Sequence, residues 1–420
     1  MKITTHESVD DADDGLDFNP PHPSSPMVLH VRVVSGSGGG PEKTILRSAR
    51  HAQAAGLRMV AAYLHPAGDV GMTLLHRQAA EHGCPLVAIP ERGALDLRSV
   101  RTLVHLCRQK RVTIWHAHDY KSNLLGLIVR RLWPMKLVTT VHGWTNKTGR
   151  GRLYYALDRQ LLRFYDRVLV VSPALRTACL RHGVSAGRLS YVPNAIDSQE
   201  FKRRHGCEAV RYELGIGCDR FVIGLVGRLS EEKGVDRAIR TLRRLHDTTS
   251  RRIELHLIGD GPQRTALRDL ARRLGLETVV HFWGWQPNVR RLYEMMDMLL
   301  SSSHDEGTAN VILEAMAMGV PVAATNVGGA MEMLDAGRCG VLLDADRDAL
   351  WADHIAPLVV SGDRRQELAR RGRERAKRVY SFERRMQAVI GLYRDLLRVR
   401  RADSTPDFGP PHRPMLRKAA

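Results

Sequence analysis

The amino-acid sequence predicts an α/β protein with two domains of similar size, each built on a parallel β-sheet covered by helices. The chain has 420 residues, more than one ordinary hydrophobic core accommodates. Short apolar runs typical of strands alternate with helical stretches, and strands that alternate with helices form parallel sheets. The alternation pauses around residues 194–201 and resumes after Gly217, so it falls into two series.

The first series predicts an N-terminal domain over residues 27–200. It opens with the strand-like run MVLHVRVVS, the glycine loop GSGGG, and a helical stretch from Pro41 to Gly56. Its other strands are predicted at 59–64, 85–89, 112–117, 136–141, 167–172 and 189–193.

The second series predicts a C-terminal domain over residues 201–380, followed by a helix at 381–402. We place the hinge between the domains in the pause that precedes this series. Its strands are predicted at 221–227, 253–259, 279–284, 297–302, 320–325 and 340–344.

Both ends of the chain are expected to be disordered. Residues 1–26 are acidic, rich in Pro and Ser, and without the apolar segment of a signal peptide, and residues 403–420 contain several prolines. No apolar run reaches the ~18 residues of a membrane span, and the six cysteines show no C-x-x-C spacing. We therefore expect a cytoplasmic protein with neither a disulfide framework nor a zinc site.

The net charge of +19 suggests nucleic acid, an anionic membrane surface or a phosphorylated substrate as a ligand. Arginines far outnumber lysines, however, and such a ratio also arises from coding bias. The charge by itself therefore does not identify the ligand.

Two loops of the second domain carry groups suited to a diphosphate. GRLSEEKG, residues 227–234, follows a strand and offers Arg228 and Lys233, although an isolated match of this kind is also compatible with a solvated loop. IGDGP, at 258–262, repeats the strand and glycine turn, and its backbone N–H groups could approach an anion.

A third loop, HDEGTAN, joins a strand to the helix VILEAMAMG and places Glu306 and Glu314 eight positions apart. Alone, each glutamate fits a helix cap or an ion-pair partner. Together with the cationic loop, they add carboxylates for sugar or ribose hydroxyls and a helix N-terminus for an anion. The three loops together fit a nucleotide sugar.

These motifs resemble those of the retaining glycosyltransferases of the large group-four type, which have the two-domain GT-B fold. The resemblance extends over roughly residues 27–398. It implies two Rossmann-like domains that face each other across a cleft, with the last helix crossing back to the first domain. It rests on GGGPEKT, HAHDYKSNLLG, VHGW, VVSPAL, VPNAID, GRLSEEKGVD, IGDGP, the two-glutamate segment ending LEAMAMGVPVAATNVGG, and YSFERRMQAVIGLY.

The resemblance also implies roles for single residues. Arg228 and Lys233 would hold the donor diphosphate, Glu314 the ribose hydroxyls and Glu306 the transferred sugar. His142 would face that sugar from the first domain, so catalysis is assigned to His142, Glu306, Arg228 and Lys233. The other implied donor-binding residues are Gly39, Gly40, Gly227, Gly259, Gly284, Gly307, Thr308, Ala309 and Asn310.

On the acceptor side, His118 and Lys121 are the candidates. A histidine at a strand end is more often a hydrogen-bonded packing residue, so that alternative stays open for His118. Where many members read E-G-F-G-L-V, this chain reads EGTANV, closer to a subgroup with E-G-x-P-N-V. The identity of the sugar is therefore left open.

The implied reaction retains the configuration of a hexose and uses neither cofactor nor metal, since cations and loop amides would stabilise the departing diphosphate. DAD at 344–346 follows the last strand and is predicted to be a surface loop. The implied partners are a nucleotide-sugar donor and a glycan or lipid-linked acceptor, with no nucleic acid. By family analogy, the pathway is surface-polysaccharide or lipid-linked glycan assembly.

Two other classes of protein stay open. A nucleotide-sugar epimerase has the same architecture but works without an acceptor. A basic nucleic-acid-binding protein could be built on an inactive transferase scaffold. The presence of Arg228, Lys233, Glu306 and Glu314 argues against an inactive scaffold.

The segment 147–167 predicts a basic amphipathic helix. Arg152, Arg159 and Arg163 lie within ~40° of one another on a helical wheel, beside an apolar face. Such a helix could dock on the anionic inner face of the cytoplasmic membrane, with Tyr154 and Tyr155 at the interface. The same apolar face could instead pack on the first domain's sheet. The apolar face comprises Leu153, Leu157, Leu161 and Phe164.

Overall fold

A computed structural model describes residues 22, 24–36, 38–93, 96–144 and 149–402. The predicted tails, 1–26 and 403–420, lie outside these residues except for His22 and residues 24–26. Residues 147 and 148 of the predicted amphipathic helix lie outside them as well. Within the described part of the chain, no helix combines the length and the apolarity needed to cross a bilayer.

The N-terminal domain contains a seven-stranded parallel sheet in the order β3-β2-β1-β4-β5-β6-β7. Its strands are β1 Met27–Val33, β2 Arg58–Pro66, β3 Leu86–Glu91, β4 Val112–Ala117, β5 Lys136–Val141, β6 Arg167–Val170 and β7 Leu189–Tyr191. Its helices are α1 Gly40–Ala54, α2 Met72–Glu81, α3 Leu97–Lys110, α4 Tyr120–Leu132, α5 Gly149–Leu161 and α6 Pro173–Arg181.

The C-terminal domain contains a six-stranded parallel sheet in the order β10-β9-β8-β11-β12-β13. Its strands are β8 Phe221–Val226, β9 Ile253–Ile258, β10 Val280–Gly284, β11 Met298–Ser301, β12 Val322–Thr325 and β13 Val341–Leu343. The helices are α7 Cys207–Leu214, α8 Val235–Thr248, α9 Arg264–Arg273, α10 Arg290–Glu294, α11 Asn310–Ala317, α12 Ala330–Met333, α13 Trp351–Val360, α14 Gly362–Val379 and α15 Phe382–Ala402.

The prediction of two parallel-sheet domains is confirmed, with a strand at every predicted position. The central strands are buried over most of their length, and all six residues of β9 are buried, because helices cover both faces of each sheet. This burial explains why they appear in the sequence as continuous apolar runs.

In each sheet the strand order reverses beside the first strand of the domain. β1 lies between β2 and β4, and β8 lies between β9 and β11. Loops that leave the carboxyl ends of parallel strands on the two sides of such a reversal diverge and leave a crevice for a ligand. The topology therefore places one crevice in each domain.

The last helix, α15, returns to the N-terminal domain, as predicted. Its apolar side joins the core formed with β1, β2 and α1 through Phe382, Met386 and Tyr393. Backbone bonds tie the start of this helix to the linker between the domains: Ile196 N–H donates to Tyr380 O, and Phe382 N–H donates to Ile196 O. These bonds fix the start of α15 at the junction between the two domains.

One element of the linker region is absent from the sequence prediction. α7 lies in the charged stretch after residue 201, and a single apolar side chain, Val210, is fully buried from it. The nearly buried Arg211 pairs with Asp297 and donates to the Met295 carbonyl. Because a buried, paired arginine reads as polar in the sequence, the helix shows little hydrophobic periodicity.

Candidate active site

The two crevices face each other and enclose one cavity of about 860 Å³. Among the predicted residues, three do not line it: Gly284, His118 and Lys121. The predicted residues that do line it are Gly39, Gly40, His142, Gly227, Arg228, Lys233, Gly259, Glu306, Gly307, Thr308, Ala309, Asn310 and Glu314.

The loops after β8 and β9 form one side of the cavity wall. Gly259 has φ +140, and a Cβ there would lie 1.9 Å from the Gly227 carbonyl oxygen, so the two loops pack closely only with glycine. Gly259 N–H donates to Gly284 O at 2.9 Å. Gly284 thus supports the loop through its backbone, while Gly227 and Gly259 line the cavity.

Lys233 and Glu306 form an ion pair within the cavity wall. The Ser303 hydroxyl donates to the same carboxylate oxygen of Glu306 at 3.0 Å. Arg228 is exposed at the cavity and makes no ion pair with any other described residue. On this side of the cavity, Arg228 is therefore free to bind an anion, whereas Lys233 is shared with a carboxylate.

Glu314 lies on α11, where the Tyr293 hydroxyl donates to its Oε2 at 2.8 Å. Burial raises the pKa of Glu314, and the hydrogen bond from Tyr293 and the positive charges of Lys43 and Arg47 act in the opposite direction. The carboxylate is therefore held in one orientation while an edge of it lines the cavity.

The N-terminus of α11 meets the glycine loop of the other domain. The residue that precedes it, Ala309, supplies no side-chain cap to its first N–H groups. Asn194 Nδ2 donates to Asn310 Oδ1 at 2.8 Å across the domain junction. A Cβ on Gly40 would lie 2.1 Å from Asn310 Nδ2, so a side chain there would displace the Asn310 amide that bonds to Asn194.

The glycine loop after β1 is held by Glu42, a buried residue of α1. Its carboxylate pairs with Arg32 and accepts the Gly39 N–H at 2.7 Å. Burial alone would raise the pKa of Glu42, but Arg32 and the backbone N–H groups lower it below its ordinary range. Lys43, the next residue, is exposed and lines the cavity, which adds a cation on the N-terminal side.

His118 and Lys121 lie outside the cavity. His118 is buried behind His142, with its Nδ1 3.3 Å from His142 Nε2. Lys121 is buried as well, where its Nζ donates to the Glu91 carboxylate at 2.5 Å and to Gly93 O at 2.9 Å. The acceptor-side role expected for Lys121 is therefore corrected to a support for the loop after β3.

The predicted amphipathic helix is present as α5, and its outer face is exposed to solvent. Leu153, Leu157 and Phe164 are 70%, 47% and 50% exposed, with Arg152 and Arg163 also exposed. The apolar face therefore does not pack fully on the sheet.

The tyrosines of α5 contact an aromatic residue of α4. Tyr154 stacks on Tyr120 of α4 at 5.1 Å between ring centroids, and Tyr155 meets the same ring edge-on. Both tyrosines remain partly exposed beside this contact, and their place at a membrane interface stays a prediction. Arg159 lies over the ring of Trp144, two residues after His142.

Two clusters among the described residues have the composition of a metal site: His30, His116 and His118, and Glu254, His256 and His281. In the first, the rings of His116 and His118 are stacked at 4.5 Å, and stacked rings direct their lone pairs in parallel rather than to one point. In the second, the Trp283 indole N–H donates to His256 Nδ1, the position that carries the proton in a metal-bound imidazole. Both geometries favour hydrogen bonding over coordination.

Two family models match the chain. One, for group 1 glycosyl transferases, matches residues 208–375, and the other, for a glycosyl transferase 4-like domain, matches residues 39–195. Together they cover about three quarters of the chain, with one match in each domain.

Curated relatives align with most of the chain. The D-inositol 3-phosphate glycosyltransferase of Saccharomonospora viridis is 28% identical over 302 residues, 67% of this chain and 70% of the relative. The enzyme of the same name from Corynebacterium urealyticum is 29% identical over 323 residues, 71% of this chain and 73% of the relative.

Solved structures share the fold at lower identity. Anabaena HepE in complex with UDP-glucose superposes with a TM-score of 0.76 at 23% identity, over 88% of this chain and 99% of HepE. WaaG, a glycosyltransferase involved in lipopolysaccharide biosynthesis, superposes with a TM-score of 0.68 at 19% identity, over 86% and 99% of the two chains.

Proposed function

The chain belongs to the group 1 glycosyltransferases with the GT-B fold, and from this premise we propose that it transfers a sugar from a nucleoside-diphosphate sugar to an acceptor hydroxyl. One observation carries the proposal: the cations Arg228 and Lys233, the carboxylates of Glu306 and Glu314, and the N-terminus of α11 converge on one cavity between the domains. These are the groups that a diphosphate, a ribose and a sugar require.

The diphosphate is placed at Arg228 and Lys233, beside the uncapped N-terminus of α11. The leaving diphosphate gains negative charge as the bond to the sugar breaks. Preorganised positive groups that stabilise such charge typically contribute ~3–4 kcal/mol each. The same cations do the work for which other transferases use a metal ion, so we propose a metal-independent reaction without a cofactor.

The Lys233–Glu306 ion pair supports a position for the sugar next to the diphosphate. A diphosphate oxygen at Lys233 necessarily lies near the Glu306 carboxylate, since the two side chains are in contact. Glu306 is then positioned to bind hydroxyls of the transferred sugar and to stabilise positive charge at its anomeric carbon. Glu314, farther along α11, takes the ribose hydroxyls.

We propose transfer with retention of configuration. The bond between the anomeric carbon and the diphosphate oxygen breaks while the acceptor oxygen bonds to the same face of that carbon. The acceptor's proton passes to the departing phosphate oxygen, so no carboxylate nucleophile is needed. Closure of the two domains over the donor excludes water that would otherwise hydrolyse it.

The donor and acceptor classes follow by analogy with the relatives. HepE was crystallised with UDP-glucose, so UDP-glucose is the first donor to test. WaaG acts in lipopolysaccharide biosynthesis, which supports a glycan or lipid-linked acceptor. The curated relatives carry an inositol phosphate in their names, so a phosphorylated polyol is the second acceptor class.

Donor consumption that depends on added acceptor tests the proposal. A transferase releases nucleoside diphosphate from its donor at a rate that rises with acceptor concentration. An epimerase on the same fold converts the donor equally well without acceptor. A nucleic-acid-binding protein on an inactive scaffold consumes no donor, and its affinity for DNA or RNA falls steeply with salt.

We also propose that α5 docks the protein on the inner face of the cytoplasmic membrane. Its exposed Leu153, Leu157 and Phe164 adjoin the exposed Arg152 and Arg163, the combination that binds an anionic interface. The helix contacts the loop that carries His142: the indole N–H of Trp144, two residues after His142, donates to Asp158 of α5 at 2.9 Å. A docked α5 would therefore hold the cavity close to a lipid-linked acceptor.

Flotation with anionic liposomes checks the docking. We expect the wild type to float with the vesicles, less so as salt rises, because each Lys or Arg near such a surface contributes ~1 kcal/mol. Changing Arg152 and Arg163 to Glu should abolish flotation, whereas changing Arg364 and Arg378 of α14 to Glu should not. Equal flotation of the two double variants, or none of the wild type, contradicts docking through α5.

A further inference from the structure

A continuous chain of buried hydrogen bonds runs behind the cavity from a strand of the sheet to His142. Its five donor–acceptor distances are 2.8, 2.5, 3.4, 2.9 and 3.3 Å. Five members come from the strands of the N-terminal domain or the residues that follow them, and one comes from the crossing helix α15. We call it the histidine chain, and its members in order are Thr140, His116, Tyr393, His30, His118 and His142.

The four imidazoles of the histidine chain are neutral near pH 7. Burial, with a smaller contribution from Arg385, lowers the pKa of His30 to about 3. Burial also lowers the pKa values of His116, His118 and His142 well below their ordinary value. A neutral imidazole donates through one nitrogen and accepts through the other, so every bond in the chain must point the same way.

Thr140, at the buried end of the histidine chain, determines the direction in which the hydrogen bonds donate. The Thr140 hydroxyl is 1% exposed, and its one hydrogen bond among the described residues is to His116 Nε2. If His116 donated to it, the hydroxyl proton would be buried without a partner, which typically costs ~1–3 kcal/mol. The hydroxyl is therefore the donor, and His116 Nε2 accepts.

Starting from Thr140, the position of each remaining proton along the histidine chain can be assigned in turn. His116 Nδ1–H donates to the Tyr393 hydroxyl oxygen, and the Tyr393 hydroxyl donates to His30 Nε2. His30 Nδ1–H then donates to His118 Nε2, and His118 Nδ1–H donates to His142 Nε2. His142 must then carry its proton on Nδ1.

We infer that the histidine chain fixes His142 as the Nδ1–H tautomer and makes it a hydrogen-bond donor to the ligand in the cavity. His142 lines the cavity, and its Nδ1 makes no hydrogen bond to any described residue. Tyr393 is then a positioning residue: it touches no substrate but links the crossing helix to the reacting groups. The inference deepens the proposed function, on which the identity of the ligand rests.

The tautomer is measured directly by ¹⁵N NMR of the ligand-free protein labelled at histidine, at pH 8. The two ring nitrogens of each neutral histidine give different signals according to which carries the proton, and the His142→Gln variant identifies the signals of His142. We expect the Nδ1–H form in the wild type. An Nε2–H form there overturns the inference, whether or not the protein transfers a sugar.

Tyr393→Phe breaks the histidine chain with little change in volume. We expect His142 to become a roughly equal mixture of the two tautomers, since His30 Nε2 no longer receives a proton that selects the direction. Tyr165→Phe is the matched control, because that tyrosine is equally buried and its hydroxyl donates outside the chain, to Asn123 O. An unchanged His142 tautomer in Tyr393→Phe overturns the inference.

Activity supplies a second readout. Tyr393→Phe should lower kcat about tenfold, with the KM for the nucleotide sugar within about twofold of the wild type. In this variant only half of the molecules carry the Nδ1–H group of His142, and the His142 ring is no longer oriented by the histidine chain. Both changes mainly affect the transition state. Tyr165→Phe should keep the wild-type kcat. If no variant, including the wild type, transfers a sugar, the proposed function fails while the NMR result on the tautomer stands.

Discussion

Lys233→Ala is expected to lower turnover about 10²- to 10³-fold while the fold is retained. The substitution removes a preformed cation from the departing diphosphate. It also leaves the Glu306 carboxylate without its partner, 13% exposed and next to the anionic donor. The repulsion between that carboxylate and the diphosphate adds to the loss, so donor binding should weaken as well.

Steady-state kinetics of purified Lys233→Ala and wild type measure the effect. Arg240→Ala is the control, because Arg240 is a half-exposed cation of α8 that pairs with Asp236 and does not line the cavity. Unchanged circular dichroism and melting temperature would show that the fold is intact. Kinetics of Lys233→Ala close to those of the control would rule out the diphosphate site at Lys233.

Glu306→Gln and Glu314→Gln should affect different kinetic constants. Glu306 faces the reacting sugar, so its charge matters most in the transition state, and kcat should fall with little rise in donor KM. Glu314 is held by Tyr293 and is assigned to the ribose, a contact of equal strength in ground and transition states. We expect Glu314→Gln to raise donor KM about 10- to 100-fold, the worth of a hydrogen bond to a charged group, at nearly constant kcat.

Saturation curves for the donor at fixed acceptor concentration separate the two effects. Tyr293→Phe is a useful companion to Glu314→Gln, because it frees the carboxylate without removing its charge. It should raise KM less than Glu314→Gln does. A fall in kcat for Glu314→Gln with a rise in KM for Glu306→Gln would mean that the two roles are exchanged.

The fold could be predicted from the sequence because the apolar strand runs and the glycine turns are local signals. Each buried strand of the two sheets appears as an apolar run, and the loops that line the cavity follow such runs directly. The spacing alone therefore predicts that Glu306 and Lys233 lie at the carboxyl edge of a sheet. Lys233 follows β8 and Glu306 follows β11, and they form an ion pair because these two strands are neighbours in the sheet. The spacing of residues along the chain does not reveal which strands are neighbours.

The residues that the sequence did not reveal act through contacts that are distant along the chain. Tyr393 bonds to His116 across 277 positions, and Tyr293 bonds to Glu314 across 21. Glu42 reads as an ordinary helix glutamate, although it holds the Gly39 backbone. The burial of Lys121 could not be predicted, because a paired, buried lysine carries no sequence signal of its own.

A thermal-shift titration with nucleotide sugars tests most directly the central claim, that the cavity binds a nucleoside-diphosphate sugar. With UDP-, GDP- and ADP-sugars, at least one should raise the melting temperature of the wild type, since a ligand at 100 times its Kd stabilises the folded state by about 2.7 kcal/mol. The same ligand should give a much smaller shift with Lys233→Ala and with Glu314→Gln. No shift with any nucleotide sugar, or equal shifts in the wild type and both variants, would contradict a donor site in this cavity.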